Sequence, residues 1–164
     1  MNQSTSMYRV RPATDKDGDG VGAIIKAAFD EHPGCIYDRE AEFPELDAIA
    51  SCFRDRNGAF WVAEDADRNI VGSCGLVQTS DSEIELHKVY LAESARGTGL
   101  ATQLLNLTID YGRTTNSKRI TLWTDVRFIS GQRFYEKHGF KKQPGSRQLD
   151  DLSRSEEFNY TLEL

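Results

Sequence analysis

One short stretch limits the possible folds more than any other, the run VYLAESARGTGLATQLL at residues 89–105. An apolar, strand-like segment ends there, two glycines follow at 97 and 99, and leucines then recur at helical spacing. A helix start leaves main-chain amides without partners, and these amides attract anions. Glycine lets a ligand approach the backbone closely, and Arg96 adds positive charge. The run therefore predicts a strand–turn–helix unit that holds a pyrophosphate.

Other interpretations of this glycine turn have to be weighed. A dinucleotide-binding fold places GxGxxG after the first strand of a βαβ unit, whereas this turn lies late in the chain. A P-loop needs Gly-Lys followed by Ser or Thr, which RGTGLA lacks. A plain helix cap, with small residues for close packing, stays open when the turn is taken alone.

Length and composition narrow the class of protein. The 164 residues suit one domain, taken here as 1–164, and the net charge of −6 disfavours a nucleic-acid partner. No apolar run reaches membrane-spanning length, and the start MNQSTSMYRVRP lacks the apolar core of a signal peptide, so we expect a cytoplasmic protein with no membrane partner. Cys35, Cys52 and Cys74 are too widely spaced for a disulfide framework or a zinc site, and no metal is expected.

The rest of the pattern predicts strands and helices in mixed order. Apolar residues at helical spacing indicate helices at about 14–31, at 44–55, after the glycine turn, and at 130–139 with Gly139 as the stop. The polar stretch 144–157 is expected to be a loop, and Trp61 and Trp123 are expected in the core. Strands are predicted at 8–12, 59–65, 70–79, 83–92, 118–125 and 158–164, with 140–143 as a further short candidate.

A second motif gives the glycine turn a family context. FYEKHGF occupies residues 134–140, about 35 residues after the RxxGxA pattern of 96–101. Together these motifs resemble the GCN5-related N-acetyltransferase (GNAT) family, and the resemblance extends from YRVRP to the last strand. It implies an α/β (α+β mixed) fold with a central twisted, mostly antiparallel sheet, a splayed parallel strand pair and about four flanking helices. It also implies an N-acetyltransferase that uses acetyl-CoA as co-substrate.

The resemblance assigns the cofactor contacts residue by residue. The preceding strand is expected to pair with the pantetheine arm, and one of its amides to polarise the thioester carbonyl. In place of an Asn common in the family stands Phe128, so Ser130 is the substitute contact. The pyrophosphate is expected at Arg96, Gly97, Thr98, Gly99, Leu100 and Ala101, and the pantetheine arm at Val89, Tyr90 and Leu91.

Three residues are candidates for catalysis. The resemblance makes Tyr135 the group that protonates the departing thiolate, and a neutral phenol suits that task. By strand alternation Glu85 and His87 share one face unless a bulge intervenes. We favour Glu85 as the base, or as an anchor that passes a proton through water. His87 is the runner-up.

The acceptor is described only by class. Residues 15–47 are rich in Asp and Glu, which suits a cationic amine, although a solvated helix face explains the same composition. In related folds this region walls the acceptor site, where Tyr37 and Phe43 are further candidates. We expect a small-molecule or amino-acid-like primary amine that attacks the thioester directly. Alternatives are a protein N-acetyltransferase, a longer acyl group and a non-catalytic acyl-CoA-binding domain, and a homodimer is possible.

Overall fold

The computed structural model describes residues 7–164, and within them one mixed sheet is flanked by helices. The strands are β1 (Arg9–Pro12), β2 (Gly58–Glu64), β3 (Ile70–Ser80), β4 (Glu83–Leu91), β5 (Arg119–Asp125), β6 (Lys141–Lys142), β7 (Arg147–Gln148) and β8 (Glu156–Glu163). The α-helices are α1 (Gly18–Asp30), α2 (Arg39–Glu42), α3 (Ile49–Asp55), α4 (Leu100–Thr114) and α5 (Ile129–Lys137). Short 3-10 turns cover Asp15–Asp17, Pro44–Ala48 and Glu93–Ala95.

The sheet is antiparallel except at its centre. Its strand order is β1-β2-β3-β4-β5-β8-β6, and β7 pairs with β8. The exception is β4 beside β5, which α4 connects as a crossover between parallel strands. This parallel pairing runs from Glu83 with Arg119 to Leu86 with Leu122 and goes no further, although both strands continue. The predicted splayed pair is therefore confirmed.

Both faces of the sheet are covered by apolar packing. On one face α4 buries Leu100, Leu104 and Leu105 in a core with sheet residues such as Ile84 and Ile120. The other face buries a second core, which includes Val21, Ile25, Leu46, Ile49, Phe53, Phe60, Val62 and Val77. The amphipathic stripes of the predicted helices thus face the sheet, as their spacing requires.

The path of β4 is irregular where it leaves β5. Gly75 of β3 lies opposite His87 and Ser73 lies opposite Tyr90, so two residues of β4, Lys88 and Val89, face the single residue between. This arrangement is a β-bulge, and such bulges redirect the strand and its side chains. Glu85 and His87 precede the bulge and keep the alternation expected of them.

The main differences from the sequence-based expectations are local. The segment 44–55 divides into a 3-10 turn and α3, and one short helix, α2, was not foreseen. The predicted loop 144–157 contains the two-residue strand β7. Gly139 ends α5 with a left-handed φ of 90°, as predicted.

Residues 7–164 lack two features, a membrane-spanning helix and a cluster of metal-binding side chains. None of their helices combines the length and apolarity needed to cross a membrane. Nor do three or more His, Cys, Asp or Glu side chains come together there as a group that could hold a metal ion.

Candidate active site

The glycine turn presents open main chain at the start of α4. Gly97 has a φ of 72° and Gly99 a φ of 85°, a region that residues with a side chain rarely adopt. A Cβ atom added at either glycine would meet no protein atom within 4 Å, so packing does not require glycine here. No side chain caps the helix start at Gly99. The turn therefore exposes amides beside empty space, the arrangement that an anion needs.

Arg96 is already engaged at this turn. Its Nη1 lies 3.0 Å from Oε2 of Glu31 and its Nη2 lies 2.8 Å from Oε1, a two-pronged ion pair that joins the turn to the end of α1. Thr98 turns inward, and its hydroxyl donates to the carbonyl of Ala95 at 2.6 Å. Arg96 supplies the positive charge expected at the turn, but the carboxylate of Glu31 already pairs with it.

A cavity of about 570 Å³ opens beside the turn, and we call it the turn cavity. Of the expected cofactor contacts, Thr98, Gly99 and Leu100 do not line it, and Leu100 is buried in the core with 2% exposure. The expected contacts that do line it are Val89, Tyr90, Leu91, Arg96, Gly97, Ala101 and Ser130.

A second cavity of about 420 Å³ lies at the β4–β5 gap and is lined by residues of both strands, and we call it the acid-lined cavity. Glu85 and His87 line it together with Trp123, which was expected in the core. Phe43 lines it as expected, and Tyr37 stacks on Phe43 at 5.3 Å between ring centroids. Four residues line both cavities and mark the junction between them: Val89, Tyr90, Phe128 and Tyr135.

Tyr135 stands at this junction in an aromatic setting. Its ring contacts Phe134 and Phe140, each at 5.5 Å between centroids, and only 7% of the residue is exposed. Burial raises the pKa of Tyr135, so the phenol keeps its proton throughout the neutral range. A protonated hydroxyl at the meeting point of two cavities can donate to a group in either one.

Glu85 and His87 form a close pair on β4. Nε2 of His87 lies 3.1 Å from Oε1 of Glu85, but within the described chain this buried nitrogen makes no hydrogen bond of good geometry. Proximity to His87 is the largest cause that lowers the pKa of Glu85, against the opposing effect of burial.

The charges in the acid-lined cavity do not balance. Lys88 pairs with Glu45, Asp125 with Arg127, and Glu157 with Arg147. Among the described residues, the carboxylates that line the cavity without a cationic side-chain partner other than histidine are Glu42, Glu85 and Asp151. The unpaired negative charge favours a cation in this cavity.

A loop near the end of the chain builds one wall of this cavity. The hydroxyl of Ser153 accepts from the amide of Ile36 at 2.7 Å and donates to its carbonyl at 3.1 Å. The amide of Leu152 donates to Glu42 at 3.0 Å. These hydrogen bonds fix the loop against the segment after α1.

Sequence reasoning missed residues that this loop contributes. Asp151 and Glu157 lie in a stretch taken for a plain polar loop, and Arg147 carries its guanidinium 4.0 Å above the ring of Trp123. Of the Asp and Glu side chains in segment 15–47, only Glu42 lines the cavity. One feature of the sequence could have pointed to these residues, namely the cluster of charged side chains within the predicted loop 144–157.

Replacement of His87 by Leu should raise the pKa of Glu85. The variant removes the polar contact that is the largest cause of the lowering, while burial, which acts in the opposite direction, remains. Carboxyl-carbon NMR titration of the wild type and the variant measures the change. His138→Leu, on a histidine that lines neither cavity, is the control. An unchanged Glu85 titration in His87→Leu would show that the two groups are not coupled.

Known N-acetyltransferases are similar to part of this chain in sequence. An uncharacterised N-acetyltransferase of Mycobacterium bovis is 35% identical over 75 residues, which cover 46% of this chain and 48% of the relative. Human N-acetyltransferase 8 is 26% identical over 101 residues, 58% of this chain and 44% of the relative. The chain thus spans about half the length of the curated relatives it matches.

Solved structures show the same fold across nearly the whole chain. An acetyltransferase of the GNAT family from Staphylococcus aureus superposes with a TM-score of 0.82 at 24% identity, covering 96% of this chain and 99% of the other. An acetyltransferase from Salmonella typhimurium, solved with its cofactor acetyl-CoA, has a TM-score of 0.74 at 16% identity, with coverages of 96% and 94%. The model of the acetyltransferase (GNAT) family matches residues 23–140, more than half of the sequence. The chain therefore belongs to the acetyltransferase (GNAT) family.

Proposed function

We propose that this protein is an acetyl-CoA-dependent N-acetyltransferase, and that its acceptor is a cationic primary amine of a small or amino-acid-like molecule. The observation that carries the proposal is the junction of two cavities at the β4–β5 gap. One cavity begins at an open glycine turn, the other is acidic, and Tyr135 lines both. Two substrates can meet there without a covalent enzyme intermediate.

The turn cavity fits acetyl-CoA. Uncapped amides at the start of α4 suit the pyrophosphate, and the space beside Gly97 and Gly99 leaves room for it. A volume of about 570 Å³ suits a ligand of extended shape that lies partly in solvent. The gap beyond Leu86 leaves Val89, Tyr90 and Leu91 unpaired with β5, so their main chain can pair with the pantetheine arm. Bound there, acetyl-CoA supplies the thioester that carries the acetyl group.

The residues of the chain then have distinct tasks. Because its pKa is lowered, Glu85 stays ionised and anchors the ammonium group of the acceptor. The imidazole of His87, 3.1 Å away, is available to receive the proton that the ammonium must lose before attack. The amine forms the new C–N bond, the C–S bond breaks, and Tyr135 donates a proton to the sulfur. The second proton that the nitrogen loses on becoming an amide then restores the phenol. A main-chain amide of Val89–Leu91 donates to the carbonyl oxygen as its negative charge develops.

The unpaired carboxylates of the acid-lined cavity support a cationic acceptor. A primary amine is an ammonium ion at neutral pH. Glu42, Glu85 and Asp151 attract such an ion and hold it near the junction. A homodimer, raised above only as a possibility, and the expected cytoplasmic location are not tested by the structure.

The reaction is tested by following thiol release from acetyl-CoA with a panel of acceptors. We expect release with small primary amines, faster at low concentration for those that carry a second positive charge. N-acetylated forms of the same amines are the controls and should give none. Preference for peptides over all small amines would favour a protein N-acetyltransferase. Release no faster than hydrolysis for every acceptor would contradict the enzyme assignment and favour an acyl-CoA-binding domain.

Gly99→Ala should weaken acetyl-CoA binding by about tenfold or more, the loss expected when charge-assisted amide–phosphate hydrogen bonds are disturbed. A side chain at φ 85° strains the turn by about 1–2 kcal/mol and enters the proposed phosphate space. Calorimetry measures the affinity. Gly145→Ala is a matched control, since Gly145 has a φ of 81° and equally open surroundings but lies outside the turn. Equal affinity in the two variants would contradict the phosphate role.

Tyr135→Phe should lower kcat by about 100-fold or more, as expected when a general acid is lost, while acetyl-CoA affinity changes little. Steady-state kinetics and calorimetry separate the two effects. Tyr160→Phe removes another buried phenol, one that donates to Glu136 at 2.8 Å and lines neither cavity. It should keep its turnover. Full activity in Tyr135→Phe would exclude the proton-donor role.

A further inference from the structure

Lys88 adopts a backbone conformation that its side chain disfavours. Its φ of 52° lies in the left-handed region, which residues other than glycine rarely occupy. Such conformations persist when the surroundings determine them, and they concentrate at functional sites. Lys88 lies in the β4 bulge, where a residue can adopt this region, and its contacts show what holds it there.

Contacts from two other parts of the chain hold this residue. The hydroxyl of Ser73, a residue with no solvent exposure, donates to the carbonyl oxygen of Lys88 at 2.7 Å. Nζ of Lys88 forms an ion pair with Glu45 and lies 5.1 Å from the ring centroid of Phe43. Only 12% of the lysine side chain is exposed. Main chain and side chain are thus fixed separately.

Lys88 lies next to Val89, so its contacts affect the main chain beside the cavities. It is one of the two residues in the β4 bulge and itself lines the acid-lined cavity, and the other, Val89, lines both cavities. No β5 residue pairs with the strand at this point, because the parallel pairing ends at Leu86. The direction of the Val89 main chain therefore depends on the contacts that hold the bulge.

We propose that Lys88 is a positioning residue, which through its ion pair with Glu45 fixes the main chain of Val89 at the junction of the two cavities. The inference rests on the proposed function, since the group being positioned is the strand that receives the thioester. Glu45 belongs to the turn Pro44–Ala48, next to Phe43 in the wall of the acid-lined cavity. The pair thus connects the acceptor wall to the main chain beside the thioester.

A direct role for Lys88 in acceptor binding makes a different prediction. Its charge is compensated by Glu45, so it neither repels an ammonium group nor attracts an anion strongly. A residue that touches the acceptor changes KM when it is altered, whereas a residue that positions the reacting groups changes kcat.

The experiment compares Lys88→Met, Glu45→Gln and the double variant with the wild type. Lys88→Arg tests rescue by a side chain that keeps the charge. Lys26→Met is the matched control, because it removes an exposed lysine that pairs with Asp30 at 2.7 Å on α1. Steady-state kinetics gives kcat and KM, and amide hydrogen exchange of the peptide covering 86–91 reports on the bulge without relying on activity.

We expect both single variants to lower kcat by about 10- to 100-fold, the effect expected when a transition-state hydrogen bond is misplaced, with little change in KM. The peptide 86–91 should exchange faster in both. The double variant should be no worse than the poorer single one, because both changes break the same contact. Lys88→Arg should recover most of kcat, and Lys26→Met should match the wild type.

Other results would overturn the inference. Unchanged exchange in Lys88→Met and Glu45→Gln would show that the pair does not hold the bulge. Faster exchange with normal kcat would show that the bulge does not position the reacting groups, and a change confined to the acceptor KM would make Lys88 a substrate contact. Glu45→Gln, on a surface turn, decides the matter if Lys88→Met does not fold. If the wild type acetylates no acceptor, the proposed function is wrong. The amide-exchange comparison does not depend on activity, so it still decides whether the ion pair of Lys88 with Glu45 holds the bulge.

Discussion

The end of the parallel pairing between β4 and β5 is the constraint on which the rest of the site depends. Beyond Leu86 and Leu122 the strands lose their shared hydrogen bonds, and main-chain groups at the middle of the sheet need other partners. Central strands rarely leave such groups unpaired. Two cavities meet in the resulting gap, and the residues common to both come from β4, α5 and the residue before α5. The fold supplies a rigid sheet on either side and an opening where its hydrogen bonding stops.

Charge divides the site into two unlike halves. Beside the glycine turn the attraction for anions comes from main-chain amides at a helix start, whose effect is local and does not depend on net charge. In the acid-lined cavity the attraction is for cations, and it comes from side-chain carboxylates that outnumber their cationic partners. A chain with a net charge of −6 can therefore hold an anionic ligand and a cationic one a short distance apart. Tyr135 lines both cavities at their junction.

The sequence predicted best what local pattern determines. The glycine turn, the helix after it and the closeness of Glu85 to His87 follow from spacing along one segment, and the structure has each of them. The parallel pair followed from the family resemblance. Trp123 was misjudged because a large aromatic on a central strand is usually buried, whereas the end of the β4–β5 pairing opens space beside it. Arg147 and Asp151 could not be placed, since their loop reaches the site only through contacts with distant residues.

Those distant contacts have a consequence for how the molecule is assembled. Ile36 and Ser153 lie 117 positions apart in the chain, and Glu42 and Leu152 lie 110 apart. A ribosome releases the glycine turn, α4 and α5 before either Leu152 or Ser153 exists. The wall of the acid-lined cavity that contains Ser153 is thus completed only after the glycine turn, α4 and α5 have been synthesised.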